Sequence, residues 1–327
     1  MNDDLARKYA RVRQMLRLER PDRIPFVGRD LGFIEYRKEV YHLGEPEFVA
    51  MDGEVVVSRD GKRRYTRDGG VWAVGDEEKY KTDADVLNED PMTFEVEEVG
   101  PTMLGEMAQL YAAKANSFYP APWHYGTLVT RCVLVFGWEP FLLACAVDSA
   151  KLGKLMDRFG AASLAVAQGW AQTPGVEFIV IHDDIAGTRG PFMRPQWYRD
   201  YVFPLHKAIY DAIHAQGKKV LYVSDGNYLP LMDDVLATGT DGLYVESSSM
   251  DPAEVMRRGG KDKLYMVKTD NRAVDFGTPD DIRREVEKLR RLHEEYPGIM
   301  MYRGGGNPPP GNAEAFEQAY NELLVYA

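Results

Sequence analysis

Between Val176 and Asn227 the hydrophobic pattern runs through the same unit twice. The apolar run Phe178-Ile179-Val180-Ile181 stops at His182-Asp183-Asp184 and a glycine-bearing loop. A long amphipathic stretch follows, and a second apolar run, Val220-Leu221-Tyr222-Val223, stops at Ser224-Asp225-Gly226-Asn227. Apolar runs without alternation suit strands covered on both faces, as in parallel sheets with helical crossovers. The rhythm continues to the end of the chain. Strands are predicted near 177–182, 219–224, 241–246, 263–268 and 298–303, alternating with helices near 195–216, 228–238, 252–259, 279–294 and 312–325. Thr278, Pro279 and Asp281 mark a helix start, with Ile282, Val286 and Leu289 as its apolar stripe. Gly217 and Gly239 are placed to close the helices before them.

Upstream the pattern is less regular. Leu5, Tyr9, Val12 and Leu16 predict a helix over 4–18, and Arg23-Ile24-Pro25-Phe26-Val27 a first strand. Asp-Gly pairs between short β-rich runs predict a small antiparallel meander near residues 54–76. A helix over 100–115, an aromatic strand-and-loop over 118–125 and a helical region to Trp170 follow, broken at Trp138-Glu139-Pro140 and capped again at Asp148. Five βα units in series favour a parallel barrel or a doubly wound sheet. Neither a Gly-x-Gly-x-x-Gly turn nor a Gly-Lys-Ser/Thr phosphate loop is present, which counts against a nucleotide fold. The expectation is one (β/α)8 TIM-type barrel domain over residues 1–327, with the meander as an excursion from it.

Charge and cysteine usage narrow the partners. A net charge of −11 repels a phosphate backbone, and the densest basic run, Lys288 to Arg291, is interleaved with glutamates on a helix, so no nucleic-acid partner is expected. Cys132 and Cys145 sit amid apolar residues, as buried thiols of a reducing compartment would. No apolar run reaches membrane-spanning length and the N-terminal segment lacks an apolar core, so the expected location is the cytoplasm, without membrane association.

In a barrel of parallel strands the C-terminal strand ends converge on one rim, and the chemistry collects there. Those ends here read His182-Asp183-Asp184, Ser224-Asp225-Gly226-Asn227, Glu246-Ser247-Ser248-Ser249, Lys268-Thr269-Asp270-Asn271-Arg272 and Arg303-Gly304-Gly305-Gly306-Asn307. Any one of them is ordinary loop and cap chemistry. Five in series point to a site. Asp184 and Glu246 stand where buried strands stop, so desolvation is expected to raise their pKa toward general acid–base work. Asp225 is the third catalytic candidate, and with Asn227 it flanks the permissive Gly226. Lys268 and Arg303 offer positive charge to a substrate or balance the acids. His182, Asp270, Asn271 and Asn307 complete the polar rim, and Trp123 and Tyr125 are candidates to wall it for a flat substrate, although plain core packing is the commoner reason for such rings.

The ordered series of these motifs resembles the uroporphyrinogen decarboxylase superfamily. The similarity rests on Asp183-Asp184, the Ser-Asp-Gly-Asn strand end, Glu246 with Met250-Asp251 behind it, Asp270-Asn271 with Gly277-Thr278-Pro279, the terminal Gly-Gly-Gly-Asn, and the opening Arg20-Pro21-Asp22-Arg23-Ile24-Pro25. The resemblance implies a (β/α)8-type barrel and one of two activities. One is cofactor-independent removal of carboxylates from uroporphyrinogen. The other is methyl transfer to or from a corrinoid protein, often with zinc on a His-x-Cys pair and a later Cys. Arg29 to Arg37 resembles the decarboxylase's arginine-rich first loop, but Phe33 stands where its second arginine belongs. Val223 and Asp225 occupy the His-x-Cys positions, and glycines the late Cys position. A thiolate zinc site is therefore not expected. The leading expectation is a methyltransferase component with no tightly bound cofactor, acting on a small methylated substrate such as a methoxyarene or methylamine, with cobalamin carried by a partner protein. Zinc ranks below a metal-free site, and if present would sit on Asp225, Glu246 and His182. A decarboxylase holding carboxylates with Arg29, Arg37, Lys268 and Arg303 comes next, then a non-catalytic corrinoid- or tetrapyrrole-binding protein. A homodimer is left open.

Overall fold

The structure is a computed structural model. It describes residues 2–36, 79–304 and 308–325 in full, and the backbone of four short strands between residues 51 and 72. In chain order the elements begin with α1 (Asp3–Leu16) and β1 (Leu31–Ile34). Strands β2 (Met51–Asp52), β3 (Val55–Ser58), β4 (Gly61–Tyr65) and β5 (Val71–Trp72) pair antiparallel in sequence, matching the expected meander. Then come α2 (Asp83–Leu87), α3 (Pro101–Lys114), β6 (Tyr119–Tyr125), α4 (Val129–Phe136), α5 (Trp138–Val147) and α6 (Ser149–Gln172). The regular half holds β7 (Phe178–His182), the small hairpin β8 (Ala186–Gly187) and β9 (Gly190–Pro191), α7 (Pro195–Tyr201) and α8 (Phe203–His214). It continues through β10 (Lys219–Val223), α9 (Met232–Ala237), β11 (Gly242–Glu246), α10 (Pro252–Gly259), β12 (Leu264–Lys268), α11 (Asn271–Phe276), α12 (Pro279–Glu295), β13 (Ile299–Tyr302) and α13 (Pro310–Leu323).

Seven strands form one parallel sheet in the order β1-β6-β7-β10-β11-β12-β13. The sequence led to eight. The place expected for another strand, Arg23 to Val27, holds only isolated bridges: Arg23 to Val325, Phe26 to Met301 of β13 and Val27 to Leu31 of β1. Pro25 lacks the N–H that a ladder needs, so pairing there is reduced to the Pro25 carbonyl accepting from Met301 N and Val27 N donating to the Met301 carbonyl. Those bridges still touch both edge strands, so the sheet is curled.

Alternation along the strands sorts the core into two layers. Leu31, Tyr119, Phe178, Val180, Leu221, Val223, Tyr244, Leu264, Met266 and Met300 pack with each other on the concave side. Ile179, Ile181, Val220, Tyr222, Leu243, Val245, Tyr265, Val267, Ile299 and Met301 face the helices. Helix α1 lays Val12, Met15 and Leu16 against residues at the starts of these strands and covers the N-terminal mouth. The opposite mouth receives the loops.

Three local details depart from the sequence pattern. The helix expected over 195–216 is broken at Val202, because Pro204 can sit only in the first turn of α8. A short helix, α11, stands between Asp270, which caps it, and Gly277. Strand β1 was hidden by its four-residue length. The expected caps at Asp148 and Thr278 are present, the latter as a capping box with Asp281. Among the described residues no single helix is long and apolar enough to cross a membrane.

Candidate active site

Strand parity decides what reaches the open mouth. Counting inward-facing positions by twos from the packed interior ends on His182 in β7, Glu246 in β11, Lys268 in β12 and Tyr302 in β13, with Asp225 just past β10. The strands are parallel and adjacent, and Glu246 pairs in register with Lys268, as Lys268 does with Tyr302. These side chains therefore meet on one rim.

Two ion pairs stand there. His182 Nε2 lies 2.9 Å from Asp184 Oδ1, which also accepts from Asp225 N at 2.8 Å. Lys268 Nζ donates to Glu246 Oε1 at 3.0 Å, while Glu246 Oε2 accepts from Gly226 N and Ser249 Oγ, each at 3.0 Å. Burial works to raise both Asp184 and Glu246, but the opposing contacts prevail. The charge and hydrogen bond of His182 hold Asp184 below the usual carboxylate range, and Lys268 with the Gly226 N–H does the same for Glu246. The expectation that desolvation raises these two is thus corrected, because each has a cation within hydrogen-bonding reach. Asp225 is the carboxyl that rises: burial and the neighbouring Asp184 charge push it up, and Lys268 offsets only part. His182 and Lys268 are in turn raised against their burial, mainly by Asp184 and by Asp225 with Glu246 respectively. Beneath Asp225 lies the buried Tyr244, whose hydroxyl is pushed up by burial and by the nearby Asp225 and Glu246 charges.

One carboxyl pushed up by burial and by a neighbouring carboxylate, between two ion pairs at a strand-end rim, is an arrangement suited to proton donation. Rings line the same mouth. Trp123 and Tyr125 stand edge-on to His182 at centroid distances of 5.2 and 4.6 Å, and Phe33 packs on Trp123 at 4.1 Å and on Tyr302 at 6.3 Å.

The other candidate residues are placed as follows. Asn227 turns back to accept from Leu229 N, and its own N–H holds the Gly187 carbonyl of the β8–β9 hairpin. Asp270 caps α11 and pairs with Arg272, which holds its carboxyl low. Asn271 begins α11, and Arg303 lies half-buried just after β13. Arg29 is not brought to the cluster. It pairs with Glu317 of α13 and lies over the rings of Phe26 and Tyr320. Arg37 and Asn307 fall outside the described residues. The sequence reading missed Tyr244, Phe33, Tyr302 and Thr130. Parity would have found Tyr244, two positions before Glu246. Thr130, whose Oγ1 accepts from Asp184 N at 2.6 Å, lies 54 residues away and left no signal.

His182, Asp184 and Asp225 each present a ligand atom, all within 4.8 Å of one another. In this trio Asp184 takes the place expected for Glu246, which is occupied by Lys268. A thiolate zinc site does not fit the described residues, since Cys132 and Cys145 are buried in α4 and α5, away from the rim, and burial pushes both thiols up.

Gly226 gives the rim a stability test. Its φ of +77° is a left-handed conformation, and a Cβ there would meet the Ala186 carbonyl oxygen at 2.5 Å. Gly226→Ala is expected to destabilise the fold by about 1–3 kcal/mol and to displace Asp225, read as a lowered Tm together with lost turnover.

A curled parallel α/β sheet with an acid–base cluster on its C-terminal rim defines the general class, in which the scaffold carries the site on its loops. The model of the uroporphyrinogen decarboxylase (URO-D) family matches residues 114–321, and the chain belongs to that family. Among solved structures it is similar to a methyltransferase from Methanosarcina mazei, at 17% identity and TM-score 0.54, covering 79% of this chain and 73% of that one. A D-psicose 3-epimerase matches at 11% identity and TM-score 0.42, over 74% of this chain and 85% of that one. Comparison with curated protein sequences finds no match.

Proposed function

We propose that this chain is the methyltransferase component of a corrinoid-dependent system, moving a methyl group from a small methylated, methoxyaromatic-type substrate to a cobalamin-binding partner. The observation that carries this reading is Asp225, a carboxyl that burial and the Asp184 charge push up, set between the His182–Asp184 and Glu246–Lys268 pairs at a rim walled by aromatic rings. When an ether loses its methyl group, the C–O bond breaks and the leaving oxygen must take up a proton. Asp225 is placed to supply that proton and to be reloaded from solvent. Asp184–His182 and Glu246–Lys268 fix the charges around it, and Trp123, Tyr125, Phe33 and Tyr302 shape the space for a flat ring. The partner's corrinoid supplies the nucleophilic acceptor for the methyl group.

Decarboxylation of a polycarboxylate, the reaction that gives the family its name, is the rival. It would need several free cations at the rim. Among the described residues Lys268 is paired with Glu246 and Arg29 with Glu317, so of the described candidate cations only Arg303 stands at the rim outside an ion pair, which favours methyl transfer. The test offers the protein methoxylated aromatics and methylamines with cob(I)alamin, and uroporphyrinogen separately. Methylated corrinoid with no CO₂ from uroporphyrinogen is expected, and the converse result rejects the proposal.

A pH dependence follows. Asp225 acts in its protonated form, so turnover is expected to fall as pH rises through its pKa, which lies above the usual aspartate value of about 3.9. Asp184 and Glu246, both held low, stay charged until the medium is more acidic still. The kcat profile should therefore show an alkaline limb that belongs to Asp225.

A further inference from the structure

Behind the rim, on the helix-facing side of β7, the chain holds a second carboxylate that the proposed chemistry does not use. Asp183 is completely buried. Its Oδ1 accepts from Leu128 N at 3.1 Å and Thr130 N at 2.9 Å, so it caps the first turn of α4, whose own N-cap residue, Leu128, offers no side-chain acceptor. Its Oδ2 lies 3.1 Å from Nε2 of His206 on α8, itself 1% exposed and stacked on Tyr210. The Asp183 carbonyl accepts from the Tyr222 hydroxyl, and its N–H donates to Val223 O. Every polar group of Asp183 thus faces a neighbouring element.

The turn that Asp183 caps reaches back to the rim. Thr130 Oγ1 accepts from the backbone N–H of Asp184, and the N–H groups of Gly126 and Thr127 donate to the His182 carbonyl. The loop before α4 therefore grips His182 and Asp184, the two residues that form the ion pair beside Asp225. Residues 126–130 directly follow β6, whose Tyr125 pairs in register with His182 of β7, and Asp183 extends that contact beyond the ends of the two strands. A buried carboxylate is costly to maintain, and this one, hydrogen-bonded through Oδ1 and at ion-pair distance only from His206 through Oδ2, secures a fixed backbone arrangement.

We propose that Thr130, anchored by the buried Asp183–His206 pair, is a positioning residue that sets the Asp184 carboxylate against His182 and Asp225. The catalytic consequence rests on the methyl-transfer reading, whereas the geometric one does not. Thr130 touches no reacting atom; it acts through Asp184. Groups facing His182 and Asp184 are Asp183, Asp225 and Lys268, together with the Tyr125 and Trp123 rings.

Thr130→Val keeps the shape and removes the acceptor, while Thr130→Ser keeps the acceptor. The crystal structure of Thr130→Val is expected to show Asp184 turned away from His182, and that of Thr130→Ser the wild-type pair. In turnover, Thr130→Val is expected to lose roughly 10- to 100-fold in kcat with KM within about two-fold, and Thr130→Ser to restore it. His206→Gln should show the same kcat loss in milder form. If Thr130→Val folds with the Asp184–His182 pair intact, or only its Tm falls while kcat is unchanged, the positioning role is overturned. If the wild-type protein transfers no methyl group, the functional reading fails on its own, and the crystal structure of Thr130→Val still decides the geometric claim. Should Thr130→Val not fold, the Asp184–His182 geometry and kcat of His206→Gln decide in its place.

Discussion

Asp225→Asn is expected to lose about 10²–10⁴-fold in kcat, the usual contribution of a general acid, while the protein keeps its fold. Asparagine fills the same volume, but it cannot release a proton to a leaving oxygen. The replacement also removes one of the charges that hold Lys268 above its ordinary pKa, but the Glu246–Lys268 pair remains. Thermal denaturation should therefore change little, and the alkaline limb of the kcat profile should disappear. A variant with near wild-type kcat would remove Asp225 from the chemistry and return attention to Asp184. A donor with a better leaving group, such as a nitrophenyl methyl ether, should lose less on this substitution because its oxygen needs protonation less.

Glu246→Gln is expected to show the largest loss of stability, on the order of 3 kcal/mol. Glu246 and Lys268 are both largely buried, with side chains 13% and 17% exposed. Glutamine removes the counter-charge hydrogen-bonded to the ammonium and leaves only the neighbouring Asp225 carboxyl to balance it. Replacing both partners by apolar residues of similar size, Glu246→Leu with Lys268→Met, should recover much of that stability, because the cost lies in stranding one buried ion. Turnover should not recover in the double variant, since the Gly226 N–H loses its acceptor and the loop bearing Asp225 with it. The pH dependence has a definite sign. The Glu246 pKa is lowered by folding, so its contribution is complete above the unfolded value of about 4.3 and disappears as pH falls through the folded one. The stability gap between wild type and Glu246→Gln should therefore narrow on acidification, as urea denaturation at pH 7 and near pH 3 would read. Full activity in a folded Glu246→Gln protein would show that this pair serves the scaffold alone.

From residue 176 onward the strands, the helices and the single rim were readable, because buried parallel strands and capped amphipathic helices are local patterns. The identity of Asp184, Asp225, Glu246 and Lys268 as neighbours followed from parity and strand order. Their ionisation did not. Which carboxyl rises depends on a cation from another strand, Lys268 for Glu246, or on an imidazole two positions back, His182 for Asp184. Strand β1 was concealed by a glycine and by its brevity, and the expected strand at Arg23–Val27 was over-read because Pro25 prevents a continuous ladder. Arg29 looked like a substrate anchor in the sequence, since nothing local announces that Glu317, almost three hundred residues away, faces it. Thr130 was invisible for the same reason.

The account stands or falls on where a methyl group goes. A methoxyaromatic donor carrying ¹³C in its methyl group, incubated with the protein and cob(I)alamin, follows that atom by NMR. The label is expected on the corrinoid, with an equivalent of demethylated phenol released, and neither product should form above background with Asp225→Asn. Label remaining on every donor tried, alongside CO₂ released from uroporphyrinogen by the same preparation, would contradict methyl transfer and make the protein a decarboxylase.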